Sequence, residues 1–400
     1  MSPKVSGPFV SAGREVVIAE AVRTPIGKSH PEKGWFRDTH PNALLAACYE
    51  DLIARTGLDP AAVEDLVIGC TAPFGEQSRN IGRNAWLQAG YPAEVPATTL
   101  DRRCGSAQTA VNFAAALIAA GVHDIVIAGG VEHMGHVPMN SPAKISELYG
   151  EPWPAELRAR YDFVTQGESA ELIADRWDIS RTEMDEFAVR SHRLAAAAVA
   201  AGRFDAEMVR MELDGEVRLG DQTVRPGTTL ETLGNLKPVF RPENGRITAG
   251  TSSPICDSAA AVVLCTRAAA ERHGLRVRAR IADQTTVGVD PIIMLTGPIP
   301  ATRKLLERNR LTVDDIDLFE VNEAFSSVVL AWQRELKADE ERVNVNGGAI
   351  ALGHAVGATG ARLIATALNE MERRDSALGL VTMCCGGGLG TGTLLERVDR

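Results

Sequence analysis

One stretch limits the possible folds more than any other: SAQTAVNFAAALIAA, from Ser106 to Ala120. Its spacing is helical, and from Ala110 to Ala120 only Asn112 is polar. A helix that is apolar nearly all round is buried on every side, so it needs packed structure both above and below it. The neighbouring sequence supplies that material. Short β-rich runs, EVVIAEAVR, VEDLVIGC, ATTL and HDIVIAGG, alternate with helical segments such as ALLAACYEDLIART, which Gly57 stops. This alternation is the pattern of an α/β protein with mainly parallel strands. A fully buried helix between two such sheets predicts a layered α/β/α/β/α body.

The last third of the chain repeats the plan. ATRKLLERNRL reads as helix and IDLFEVNEAF as a strand running into a polar turn. RVNVNGGAI reads as another strand, GATGARLIATALNEM as helix, and LGLVTMCCGGGLGTG as strand plus glycine turn. The likeness of VEDLVIGC to IDLFEVNE points to an internal duplication. The middle differs. Pro138, Pro142, Pro152 and Pro154 interrupt it, Ser180 and Glu183 form a capping-box pattern before a long helix stopped by Gly202, and 205–244 shows little periodicity. Residues 130–255 are therefore read as an insertion. Residues 1–129 and 256–275 form the first copy, and 276–400 the second.

Bulk properties exclude several classes of function. A formal net charge of −10 argues against a nucleic-acid surface. No stretch reaches the roughly 18 apolar residues of a membrane span. Seven cysteines without metal-ligand spacing suit neither a disulfide framework nor a metal site. The amino-terminal MSPKVSGPFVSAGRE reads as a tail rather than a signal peptide, and the carboxyl-terminal LLERVDR as no sorting address. A cytoplasmic, reduced protein is expected.

Four segments carry residues suited to chemistry. Cys104 stands at a strand-to-helix junction, where free N–H groups and the helix dipole favour a thiolate. His354 lies in a turn with glycines at 347, 348, 353, 357 and 360, a density that suits close approach of a ligand or a second backbone. In MCCGGGLGTG the glycines free backbone N–H groups to face a developing negative charge. Asn322 and Glu323 stand at a strand end, where polar groups of an α/β protein converge.

Taken together, DRRCGSAQTA, VNEAF, NVNGGAIALGHAVGATGAR and MCCGGGLGTG, in this order, resemble the thiolase family. So do RITAGTSSPICDSAAAV and GESAELIADRWDISRTEMDEFA, and the resemblance runs from VIAEAVRTPIGK to TLLERV. It implies the duplicated five-layered thiolase fold with an inserted loop domain that holds coenzyme A. It also implies cleavage of a 3-ketoacyl-CoA by coenzyme A in fatty-acid or steroid side-chain β-oxidation, with condensation of two acetyl-CoA as the alternative.

Carried over by position, Cys104 resembles the acylated nucleophile, His354 its activating base and Cys384 the second, acid/base cysteine. Asn322 resembles the residue that, with His354, holds an oxyanion-site water. The N–H groups of Cys104 and Gly386 correspond to the other oxyanion site. Ser253 and Phe325 match positions touching pantetheine or acyl groups. Thr165 and Gln166 replace the His-Met pair that lines the site of short-chain biosynthetic members, and FGEQSRNIGR, TAGTSS and EAFSSVVLAW look most like a degradative actinobacterial subgroup. Ala107 and Ala355 replace a glycine and a proline of the pattern, and Cys256 and Ser258 flank Asp257 in place of commoner residues. The resemblance implies no bound metal or permanent cofactor, CoA and acyl-CoA as partners, and a homodimer or homotetramer.

Overall fold

The strands fall into two sets built on one plan. The first comprises β1 (Val16–Arg23), β2 (Gly27–Lys28), β3 (Asp65–Gly69), β4 (Ala97–Leu100) and β5 (Ile125–His133). A small hairpin follows, β6 (Met211–Leu213) and β7 (Glu216–Arg218), and then β8 (Cys256–Thr266) completes the set. The second comprises β9 (Ala279–Gly288), β10 (Leu318–Val321), β11 (Leu378–Cys385) and β12 (Leu389–Arg397). The computed structural model describes residues 14–398. The stretch read as an amino-terminal tail lies, up to residue 13, outside the described residues.

In the first set the order is β4-β3-β5-β8-β1, with β3 parallel to both β4 and β5 and the remaining pairs antiparallel. In the second the order is β10-β11-β12-β9, again with parallel pairing first and antiparallel pairing after. β3 thus corresponds to β10, β5 to β11, β8 to β12 and β1 to β9. The two sets join where β1 meets β9, over two residue pairs, Val17 with Arg280 and Ile18 with Ala279.

The counterpart of β4 is not a regular strand, contrary to the reading of RVNVNGGAI. Only a single parallel bridge, Phe319 to Val343, marks its place. Asn344 and Gly347 take φ of 47° and 75°, which breaks the extended backbone. The Asn344 side chain substitutes for the ladder: its Oδ1 accepts from Val321 N and its Nδ2 donates to Val321 O, both at 2.8 Å.

Behind β4 and behind this substitute lie two equivalent helices, Ser106–Ala119 and Thr359–Arg374, which pack on each other between the two sheets. Helices Pro41–Thr56 and Ile81–Gln88 cover the outer face of the first sheet. Pro298–Asn309 lies on β9, β11 and β12 and packs against Ser326–Leu336. The layers are therefore helix, sheet, helix, sheet, helix, as the apolar helix requires. That helix departs from full burial on one side: Phe113 is 46% exposed, and the Arg102 guanidinium lies over its ring at 5.3 Å.

Glycine decides how closely the central helices meet. A Cβ on Gly360 would stand 2.3 Å from the backbone nitrogen of Gln108, so no other residue fits without separating the helices.

The segment between β5 and β8 lies mainly against the second set. Its helices Gln166–Arg176 and Arg181–Ala200 pack on Ser326–Leu336, and Ser180 and Glu183 cap the longer one reciprocally. The aperiodic part is tied down by buried ion pairs: Arg23 on β1 holds Glu207 at 2.5 Å and Asp221 at 2.7 Å.

Candidate active site

Cys104 sits between β4 and the first central helix. The turn around it is fixed by Arg103 at φ 51° and by Ser106, whose hydroxyl accepts from Arg102 N at 2.9 Å and donates to Arg103 O at 2.6 Å. Its sulfur is buried, beside the backbone N–H groups of Gly386 and of Cys104 itself. Burial pushes the thiol pKa up, and those two N–H groups pull it back, leaving it at about 11. Gly386 belongs to the second half of the chain. A Cβ on Gly105 would meet Cys385 Sγ at 2.6 Å, so the two turns touch through a glycine.

The turn carrying His354 begins at Gly353, with φ 100°, and leads into the second central helix. The His354 N–H donates to Pro254 O at 3.2 Å. Its Nδ1 lies 2.7 Å from Thr359 Oγ1, and the Thr359 hydroxyl already donates to Ala355 O at 2.8 Å. A hydroxyl has one proton to give, so Nδ1 must be the donor, and Nε2 keeps a free lone pair. Asn322 Nδ2 faces that lone pair at 3.4 Å, while Asn322 Oδ1 is buried without a protein partner. Burial, reinforced by the nearby Arg362 cation, lowers the imidazole pKa to about 3. His354 is thus a neutral base with its tautomer fixed.

Cys384 ends β11, fully buried. Burial holds its thiol well above the ordinary range, and the neighbouring Cys104 and Cys385 sulfurs raise it further. The Cys384 and Cys104 sulfurs thus lie close enough to oppose each other's ionisation, and neither they nor the imidazole carries a resting charge. All seven cysteines are unpaired.

The Cys104 sulfur opens into a cleft of about 540 Å³, whose walls include Met134, Val137, Val356, Glu132 and Gln166. Gln166, the first residue of its helix, leans on Gly386: its Nε2 stands 3.0 Å from where a Gly386 Cβ would be. A second groove, of about 910 Å³, is lined by Lys28, His30, His192, Arg225, Ser252 and Pro254. Pro254 borders this groove and also binds the His354 backbone, while Val356, two residues on from His354, borders the cleft. The histidine turn thus lies between the two spaces.

Ser253 and Phe325 belong to a short clasp: Ser253 N donates to Ala324 O at 3.0 Å, and Ser252 pairs with Phe325. The groove is lined by the neighbours of Ser253, Ser252 and Pro254. Phe325 shares an apolar cluster with Cys384 and meets Phe240 edge-on at 6.1 Å.

Three contributors escape sequence reasoning. Thr359 fixes the His354 tautomer. The Cys256 sulfur lies against Gly353, whose Cβ would stand 2.8 Å from it, and so packs under the start of the His354 turn. Glu132 accepts from Thr71 N at 2.8 Å, Thr71 Oγ1 at 2.6 Å and Gln77 Nε2 at 2.8 Å beside the cleft, and burial raises its pKa. A carboxylate inside the apolar run IVIAGGVEH is the signal that points to it.

Residues 16–268 match the family model "Thiolase, N-terminal domain" and residues 275–397 match "Thiolase, C-terminal domain". The chain is 44% identical to "Steroid 3-ketoacyl-CoA thiolase FadA6" of Mycobacterium tuberculosis, over 98% of each chain. It is also 44% identical to a 3-ketoacyl-CoA thiolase of Aeromonas hydrophila, over 96% of this chain and 100% of that one. Among solved structures, the Bacillus anthracis acetyl-CoA acetyltransferase superposes with a TM-score of 0.87 at 35% identity, covering 96% of this chain and 99% of that one.

Proposed function

This chain belongs to the thiolase family of acyltransferases, and from that membership we propose that it cleaves 3-ketoacyl-CoA with coenzyme A. The products are acetyl-CoA, or propionyl-CoA, and a shortened acyl-CoA. The relatives named as a steroid 3-ketoacyl-CoA thiolase and a 3-ketoacyl-CoA thiolase support a place for this reaction in β-oxidation, with steroid acyl groups among the substrates. The observation that carries the residue roles is the contact of the turn at Cys385 and Gly386 with the turn at Cys104 and Gly105, because it joins the glycine turn of one half to the helix entrance of the other.

The reaction runs in two acyl transfers. His354 Nε2 takes the Cys104 proton as the sulfur attacks the 3-keto carbon. The bond between C2 and C3 breaks, its electron pair stays on C2 as an enolate, and the acyl group remains on Cys104 as a thioester. Cys384 gives its proton to C2, releasing acetyl-CoA. The Cys384 thiolate then takes the proton of an incoming coenzyme A, whose sulfur attacks the thioester and frees the Cys104 thiolate. His354 returns the first proton to Cys104, and every group is restored.

Oxyanions form twice. The N–H groups of Cys104 and Gly386 suit one of them. The unpaired, buried Oδ1 of Asn322 supports a water held between Asn322 and His354 for the other. In the resting site both thiols are held above the ordinary thiol range and the imidazole is neutral, so in this scheme the proton passes to His354 only as the sulfur attacks and its charge moves to the acyl oxygen.

The second groove suits coenzyme A. Lys28 and Arg225 bring positive charge for phosphates to a space that ends at the His354 turn. Ser253 and Phe325, behind its wall, hold the clasp that shapes the pantetheine path. Among the described residues no helix is long and apolar enough to cross a membrane. A cytoplasmic homodimer or homotetramer remains our reading of location and assembly. Condensation of two acetyl-CoA is less favoured, since Gln166 stands where short-chain biosynthetic members carry part of a His-Met pair.

Mass spectrometry of protein mixed with an acyl-CoA in the absence of free coenzyme A tests the reading. One acyl group should appear on the peptide containing Cys104 and leave when coenzyme A is added. Acylation elsewhere, or none with turnover intact, would overturn it.

A further inference from the structure

Asn112 interrupts a run of the helix Ser106–Ala119 that is otherwise apolar, and no step of the reaction uses it. It is buried, as is Gln108 one turn earlier. Both side chains face the second half of the molecule, where they meet β11 and β12. Gln108 Nε2 donates to Val381 O and to Thr393 Oγ1, each at 2.9 Å, and Gln108 Oε1 accepts from Thr391 Oγ1 at 2.5 Å. Thr393 Oγ1 in turn donates to Asn112 Oδ1 at 2.8 Å, and Asn112 Nδ2 donates to Gly392 O at 3.4 Å.

These bonds admit one arrangement. The Val381 carbonyl can only accept, so a reversed Gln108 amide would set oxygen against oxygen. With Gln108 donating, the Thr393 hydroxyl keeps its proton for Asn112, whose amide then gives to Gly392. The other buried contacts of this helix have no such direction. Ala107, Ala110, Val111, Ala114 and Ala115 are small and fully buried, and apolar burial is non-directional. A helix clad in alanine fits its neighbours at more than one axial position, and buried polar contacts select one of them.

The ladder runs up to the reacting groups. Along the paired strands Val381 stands opposite Thr393, Met383 opposite Thr391 and Cys384 opposite Gly390, so the gripped residues lead straight to Cys384 and the Gly386 turn. On the helix side, a Cβ on Gly105, the residue after Cys104, would stand 2.9 Å from Thr391 Cγ2. The turn of the nucleophile therefore rests on a member of the ladder.

We propose that Gln108 and Asn112, with Thr391 and Thr393, are positioning residues: they fix the axial position of the nucleophile helix and so hold Cys104 in register with Cys384 and Gly386 of the other half. This rests on the thiolase reading and adds to it the residues that set the two halves of the site against each other. None of the four lines the cleft or the groove, so substrate binding does not depend on them directly. A displacement of about 1 Å at the reacting atoms costs about 10²-fold in rate.

The test removes the whole ladder and leaves none of its side-chain polar atoms buried: Gln108→Met, Asn112→Leu, Thr391→Val and Thr393→Val together, with acetoacetyl-CoA and 3-ketopalmitoyl-CoA as substrates. Replacing a complete polar network by apolar groups of similar shape preserves stability, so the denaturant midpoint should stay close to that of the parent. For both substrates kcat should fall about 10²-fold while KM rises no more than about threefold. An unchanged kcat overturns the proposal, and so does a loss carried by KM alone.

Should the fourfold variant misfold or lose stability, Thr393→Val and Thr393→Ser decide. The first should lose about tenfold in kcat at unchanged KM, and the second, which keeps the hydroxyl, less than about twofold. Equal kcat in the two overturns the proposal. A parent inactive on both substrates would overturn the thiolase reading and this proposal with it, whereas an active parent with an equally active variant overturns this proposal alone.

Discussion

The two central helices occupy the same place in the two halves of the molecule, yet their entrances carry different chemistry. Before Ser106–Ala119 the chain turns tightly, with Arg103 at φ 51°, and presents a sulfur two residues ahead of the helix. Before Thr359–Arg374 it makes a longer turn opened by Gly353 and presents an imidazole five residues ahead. The first helix is built of small apolar residues, while the second buries Arg362 and Glu370. Duplication supplied two equivalent helix starts facing each other. Divergence then gave the nucleophile to one and the base to the other, which a single copy cannot do without crowding both into one turn.

If this division of labour holds, breaking the first entrance costs most. Cys104→Ala should lower kcat by roughly 10⁴-fold or more and abolish covalent acylation, read by steady-state turnover and intact mass. His354→Asn, at the other entrance, should cost roughly 10²–10⁴-fold and still bind substrate, because a base is lost and the nucleophile stays. A larger loss at His354 than at Cys104 would reverse the assignment.

Gly360→Ala touches neither reacting group but pushes its Cβ into the Gln108 backbone. It should destabilise the fold by about 1–3 kcal/mol and slow turnover, because the two entrances move apart. Unchanged stability in denaturant titration would mean the helices are not in close contact there.

The smallest effect concerns pH. His354 and His192 have folded pKa values lowered from 6.5 to about 3 and about 4, burial being the main cause. The unfolded chain takes up these protons first as pH falls through 6.5, so their stabilisation is complete above 6.5 and is lost progressively toward pH 4 and 3. Each group adds a slope approaching 1.4 kcal/mol per pH unit in that window. Thermal unfolding of His354→Gln should depend less steeply on pH between 6 and 4 than that of the parent, and an identical slope would show that the imidazole titrates normally.

Much of this was readable from the chain. The apolar helix demanded two flanking sheets, and the repeated strand–helix units foretold a doubled body. What stayed hidden depended on side chains replacing backbone. Asn344 makes the ladder bonds of an absent strand, so RVNVNGGAI looks extended although Asn344 and Gly347 prevent it. Thr359 and Cys256 act on His354 through contacts that no spacing reveals. The groove residues Lys28, His30 and Arg225 come from distant segments, and Arg225 lies in a stretch whose order comes from ion pairs rather than periodicity.

The seam between the halves is only two residue pairs of β1 and β9. Both central helices, however, belong to one continuous apolar cluster that also holds Val16 and Ile18 of the first sheet and Val381 and Met383 of the second. Neither half can lose its fold without exposing the shared interior of the other. Although two family models divide the chain, denaturation should therefore proceed as one cooperative transition, and the reacting groups should vanish together rather than in stages.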